Sequence, residues 1–394
     1  MASSVDFPAV SHAAESRPHG PATDGAPSYR EIRYEHSRNW PALLEQLGVS
    51  LLVSTYQAGK LFVVGARRGE LALSFHNFEQ AMGVAVRHDR VAVGTRNQVW
   101  SLRSAPEIAA RLEPGGRYDG CFLARSAHFT GDIHGHELAW AGDELWVVNT
   151  TFSCLCTLHA DYSFVPRWRP PFISALAAED RCHLNGLAIA EGRPRYVTVL
   201  AETDTSQGWR PDKATSGCLI DVGANRVVAR GFAMPHSPRV YRGRVWLLDS
   251  GTGRLVVVDP TTAVVDTVAE LPGFTRGLAF HESFAFAGLS KIRETSTFGG
   301  LPIAERRDEL RCGVGIIDVR TGRLVAHLEF LSGIDEIFAV EVLPGIRFPA
   351  ISGPYPEVDG VPTIWSAPEP GRSQDAITQI KGSECTQSAA GENP

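Results

Sequence analysis

Three histidines stand at the head of three similar segments: His134 in GDIHGHELAW, His183 in CHLNGLA and His236 in PHSPRV. Neutral imidazole is a common protein ligand for zinc, iron and copper, and three of them leave coordination positions open for water or substrate. His136 follows two residues after His134, and Glu336 holds a comparable place in the later segment IDEIFAV. They offer a further ligand and a carboxylate ligand or base. Arg276 and Arg239 lie close to the same segment heads. A guanidinium there can hold a carboxylate or phosphate through paired hydrogen bonds.

What would bring these residues together is a repeat. Each segment runs on as an apolar stretch, crosses a short turn such as Ala141-Gly142-Asp143 or Arg242-Gly243, and returns as a second apolar stretch such as Leu145-Trp146-Val147-Val148. Six copies align on their Leu-Ala or Val-Ala steps and place Gln80, His134, His183, His236, Phe274 and Ile334 in one column. A second column, two residues on, holds Met82, His136, Asn185, Pro238, Arg276 and Glu336. Degenerate strand repeats roughly 40–50 residues long mark propeller blades. The inner strands of a propeller surround a central channel, so equivalent positions converge on its mouth. In an extended segment, residues two apart face the same way.

Each of these residues also has a plainer reading. A single buried histidine is more often hydrogen-bonded to a neighbouring turn than bound to a metal, and Arg276 or Arg239 can stack on an aromatic ring or pair with a blade carboxylate. Asn185 and Asp132 can brace turns. The CxC pair Cys154 and Cys156, and Cys182 beside His183, read as buried small apolar residues, since a zinc site needs further ligands nearby. The stretch from Arg167 to Phe172 reads as inter-blade packing. The pieces Gly251-Thr252-Gly253 and Gly313-Val314-Gly315 lead into no helix, which argues against a nucleotide cofactor.

The fold class expected is all-β, a single β-propeller of six blades, with seven as the alternative count. Strand runs at 51–56, 61–64 and 71–75 lack an inner strand of their own, and the segment at 337–342 can supply it, closing the ring with both chain ends. Asn39, Pro41 and Gly48 frame a short helix over 40–47. Residues 1–28 read as a disordered leader, 29–366 as the propeller and 367–394 as a flexible tail. A net charge of −6 gives no basic footprint for nucleic acid or an anionic membrane. No apolar run reaches a membrane span. The start has no secretory pattern and the seven cysteines form no framework, so a cytoplasmic protein is expected.

The segments SFVPRWRPPFISALAAEDRCHLNGLA, MPHSPR, ELPGFTRGLAF and VLPGIRFP resemble an uncharacterised family of bacterial conserved hypothetical proteins, over about 50–354. That resemblance implies a propeller and no particular chemistry. The hairpin around His183 and Asn185 is similar, more faintly, to gluconolactonase and strictosidine-synthase-like six-bladed propellers. The lactonases among them surround calcium with Glu, Asn and Asp, where this chain has histidines.

The reading that follows is a metal-dependent enzyme acting on a small molecule or peptide group at the channel mouth, where the two arginines suit an anionic substrate. His134, His183, His236 and His136 would bind the metal, and Glu336, Arg239 and Arg276 would be catalytic. Iron or copper would favour oxidation and zinc hydrolysis, with an oxidoreductase preferred. The competing class is a non-catalytic propeller that binds a protein or ligand. The oligomeric state is left open.

Overall fold

The computed structural model describes residues 9–16, 30–292, 298–368 and 377–378. Six blades form a ring, each built on four antiparallel strands; the second blade gains a fifth strand, Pro349–Ser352, parallel to Gly120–Phe129, and the sixth is extended to six strands. The first blade takes its inner strand from the far end of the propeller: Ala339–Pro344 pairs with Val49–Thr55, and Lys60–Arg67 and Glu70–Asn77 follow outward. The second blade starts at Val84–Arg87, the third at Gly135–Ala141, the fourth at Leu184–Ala190, the fifth at Pro235–Tyr241 and the sixth at Phe274–His281. The closure expected from the N-terminal run without an inner strand is the one observed.

The near-continuous apolar runs follow from the blade stacking. Along Lys60–Arg67, Phe62 and Val64 pack into the core shared with the sixth blade, while Leu61 and Val63 pack into the core shared with the second. Both faces of the strand are therefore buried, so the pattern is continuous rather than alternating. Helix Trp40–Leu47 ends at Gly48 in the left-handed conformation. It buries Trp40, Leu44 and Leu47 against the first and sixth blades, so it flanks the ring. Asn39 does not cap it with its side chain; its Nδ2 donates to the Val325 carbonyl at 2.9 Å instead.

Residues 1–8 and 17–29 lie outside the described residues; within the leader, Ala9–Ser16 pairs with Arg30–Ser37, which extends the sixth blade. In the tail, Ala367–Pro368 pairs with Ile377–Thr378, and 369–376 and 379–394 lie outside the described residues. No described helix is long and apolar enough to cross a membrane.

Two devices set the inner strands. A β-bulge interrupts the pairing of the inner strand in the third, fourth, fifth and sixth blades and re-aims the side chains around it. Gly277 sits in the sixth blade's bulge at φ 79°, and a Cβ there would meet Val340 N at 2.6 Å. The second device is a hydroxyl that crosses to the next blade. Ser54 donates to the Met82 carbonyl, Thr150 to Leu184 and Ser250 to Thr275, each at 2.5 Å. Ser250→Ala leaves the buried Thr275 carbonyl without that donor. It is expected to cost about 1–3 kcal/mol, measurable as a lower midpoint in urea unfolding with an unchanged slope.

Candidate functional site

The inner strands of blades three to six and the turn after the first blade's second strand enclose a cavity of about 360 Å³ at one end of the channel. His134, His136, His183, His236, Arg276 and Glu336 all line it. Beneath it the channel narrows to a void of about 10 Å³ bordered by Glu137 and Arg239.

The repeat is registered differently from the sequence alignment in the fifth blade. Gln80, His134, His183 and Met234 all have left-handed backbone, with φ between 48° and 52°. Met234 is thus the partner of His134, and His236 is the partner of His136. The hydrogen bonds agree. His136 Nδ1 lies 3.0 Å from the His134 carbonyl and 2.9 Å from Thr150 Oγ1, and His236 Nδ1 lies 2.8 Å from the Met234 carbonyl and 3.0 Å from Ser250 Oγ. Since Thr150 and Ser250 spend their own protons on the next blade, Nδ1 is the protonated nitrogen in both rings. Nε2 is left as the acceptor. Burial first, then the Arg276 charge and the His183 ring, hold both imidazoles well below their ordinary pKa.

His183 is held by a different group. Its Nδ1 lies 2.9 and 3.0 Å from the two oxygens of Asp180, which also accepts from Trp209 Nε1 at 3.0 Å. The His183 ring packs on Trp209 at 4.5 Å and on His136 at 4.8 Å. His134 stands at the rim, half exposed, with Nε2 3.4 Å from Asp132.

Arg276 lies over Phe338, its guanidinium carbon 3.3 Å from the ring centroid, and its Nη2 is buried with no hydrogen-bond partner. Burial lowers its pKa to about 10, so it stays charged at neutral pH. Glu336 lies beside it but is engaged, since its Oε2 accepts from the backbone N–H groups of Tyr56 and Gln57 at 3.1 and 3.2 Å.

Arg239 is the candidate that the structure places elsewhere. It lies past the bulge at Ser237 and Pro238, below the pocket, where its guanidinium pairs with Glu137 and with Glu341 at 3.1 Å. Its charge is taken up by those two carboxylates. Asn185 braces the inner strands, donating to the Pro235 carbonyl and accepting from Thr198. Cys154, Cys156 and Cys182 are buried and burial raises their thiol pKa values. Arg167 pairs with Glu144 and covers Trp146 on the blade surface.

A single metal ion needs donor atoms that meet around bonds of about 2.0–2.2 Å. Among the described residues, the set of three His, Cys, Asp or Glu donors lying within 4.8 Å of one another is Glu35, His327 and Glu329. The pocket imidazoles and Glu336 do not form such a set, so as placed they do not fit one ion. Tyr56, Asp180, Trp209, Arg210, Lys291 and Phe338 are among the other residues of the wall, none of them a candidate from sequence. The one available signal was Asp180 three residues before His183 in EDRCH.

The family profile described as domain of unknown function (DUF4915) matches residues 38–352. No curated protein matches the chain. Among solved structures, a chain of a nidogen/laminin complex is similar at 9% identity, covering 75% of this chain and 98% of that one, with a TM-score of 0.46. A protein of unknown function from Bacteroides caccae is similar at 11% identity, with the same coverage and TM-score.

Proposed function

The chain belongs to the DUF4915 family, and we propose that this propeller binds a small carboxylate- or phosphate-bearing molecule in the mouth pocket and acts on it by proton transfer at His183. The observation that carries this reading is Arg276. Its buried, unpartnered Nη2 lines the pocket, and a buried charged donor without an acceptor costs free energy that a ligand oxyanion removes. Lys291 and Arg210 on the same wall add positive potential. Asp180 fixes the Nδ1 side of His183, which leaves Nε2 as the nitrogen available for acid–base work. The cavity is of the size that holds a small ligand. A reducing, cytoplasmic setting belongs to the same proposal and is supported by the cysteines of the described residues, six of them, all free and buried.

Metal-dependent oxidation or hydrolysis at this pocket is the second reading. It is favoured by the locked Nδ1 atoms of His136, His183 and His236, the arrangement that orients metal-binding imidazoles. It requires the rings to move together.

The test is calorimetric titration of untagged protein with succinate, citrate, inorganic phosphate and glucose 6-phosphate. At least one is expected to bind, and Arg276→Gln is expected to weaken it about 10- to 100-fold, as for a lost hydrogen bond to a charged group. Equal affinity in the variant, or no binding of any of the four by wild type, sinks the reading. Stoichiometric iron, copper or zinc in the same preparation, lost in both His183→Ala and His236→Ala, selects the second.

A further inference from the structure

A second group of reactive side chains lies on the outer strand of the first blade, away from the channel. Ser74 and His76 alternate onto one side of Glu70–Asn77. Ser74 Oγ is 3.0 Å from His76 Nε2. On the other side of the ring, His76 Nδ1 faces Asp359 Oδ2 at 3.6 Å. Both of those atoms are buried and neither has a hydrogen-bond partner. The other oxygen of Asp359, Oδ1, is held in place by the Asn77 backbone N–H at 2.8 Å and by Asn77 Nδ2 at 2.6 Å.

The tautomer follows from the carboxylate. A ring nitrogen facing a buried carboxylate oxygen with its lone pair would be repelled, so Nδ1 carries the proton and Nε2 is the acceptor. Ser74 therefore donates to Nε2. The connectivity is hydroxyl to Nε2 and Nδ1–H to carboxylate, the order that makes a serine nucleophilic. The Nδ1–Oδ2 gap is about 0.6 Å longer than a good hydrogen bond, and such contacts tighten when substrate binds.

These residues open on a cavity of about 720 Å³, larger than the mouth pocket and within the range of ligand sites. Leu112, Tyr118, Val361 and Ile364 give it apolar walls. Lys60 lies in the same wall, donates to Asn77 Oδ1, and is lowered to about 8 by burial. A buried ammonium there favours the negative charge that develops on a carbonyl oxygen under attack.

We propose that Ser74, His76 and Asp359 form a nucleophilic triad that hydrolyses carboxylic esters with a short to medium apolar acyl chain. Ser74 Oγ bonds to the ester carbonyl carbon as its proton passes to His76 Nε2. The carbon–oxygen bond to the alcohol breaks, and the Nε2 proton goes to the leaving oxygen. Water then gives one proton to Nε2 and its oxygen to the acyl carbon; the bond between that carbon and Ser74 Oγ breaks, Oγ takes the proton from Nε2, and the carboxylic acid leaves. Asp359 is the positioning residue.

The test uses full-length protein and a fluorophosphonate, which loses fluoride to an activated serine, with p-nitrophenyl butyrate as the turnover probe. Expected results are a single adduct on the Ser74 peptide, no adduct and no turnover in Ser74→Ala, and labelling slowed at least 100-fold in His76→Gln. Asp359→Asn is expected to slow labelling and to lower kcat for p-nitrophenyl butyrate with KM unchanged, because the imidazole loses the carboxylate that fixes its tautomer. Because wild-type labelling needs no variant to fold, it decides alone. An adduct elsewhere, or none on Ser74 in folded protein, overturns the proposal, as does unchanged turnover in Ser74→Ala.

Discussion

Arg239→Met is expected to destabilise the propeller by about 3–5 kcal/mol at pH 8, the usual cost of removing one member of a buried ion pair. Arg239 bridges the inner strands of three blades, from its own strand to Glu137 and Glu341, and all three side chains are at most about one-fifth exposed. Without the guanidinium, two carboxylates face each other in the narrow channel. They can escape only by taking up protons, which is cheap at pH 5 and costly at pH 8. The loss should therefore be smaller at pH 5. Denaturant unfolding at the two pH values measures it, and a variant that unfolds at the wild-type midpoint at pH 8 would show that the pairs contribute nothing.

Glu341→Gln should change the pH dependence rather than the structure. Burial raises the Glu341 pKa from 4.5 to about 7, against the pull of Arg239. A group whose folded pKa is raised contributes stability that is complete below its unfolded value and is lost as pH rises through the folded one. Wild type should therefore lose this contribution between about pH 4.5 and 7, while glutamine, a neutral isostere of the protonated acid, has nothing to lose. Buried His136 and His236, with lowered pKa values, act in the opposite direction, since stability from a neutral imidazole is lost as pH falls below 6.5. The comparison cancels them, because both proteins keep both rings. The stability of Glu341→Gln relative to wild type should rise from pH 5 to pH 8 by an amount on the order of a few kcal/mol, at about 1.4 kcal/mol per pKa unit. A difference that stays flat across that range would mean that Glu341 titrates as an ordinary carboxyl group.

The sequence made the ring legible because each blade repeats the same hairpin, and because the run at 51–75 visibly lacked a partner that 337–342 could supply. It also brought six pocket residues into view, since positions at the head of an inner strand share one location whatever their side chains are. What it could not carry was backbone handedness. Met234 gives no sign in a string of letters that it takes the left-handed place of His134, so His236 was aligned two residues out of register. Arg239 was misplaced for a related reason, because a bulge decides which residues face the mouth and which face the channel below. Partners remote in sequence were hidden altogether. Asp359 meets the outer strand of the first blade from 282 residues away, and neither Ser74 nor His76 belongs to any repeated pattern.

The strand Ala339–Pro344 belongs to the first blade, although its Ala339 is 285 residues from its partner Ser54. Ribosomes add about 5–20 residues per second, so the first blade waits tens of seconds after its outer strands emerge before its innermost strand exists. Throughout that interval Val49–Thr55, buried at every position in the finished ring, has an open edge and apolar faces. The nascent chain thus carries this open, apolar edge from the time the first blade's outer strands emerge until Ala339–Pro344 is made, and chaperone demand should fall on that blade rather than on those whose strands are contiguous in sequence.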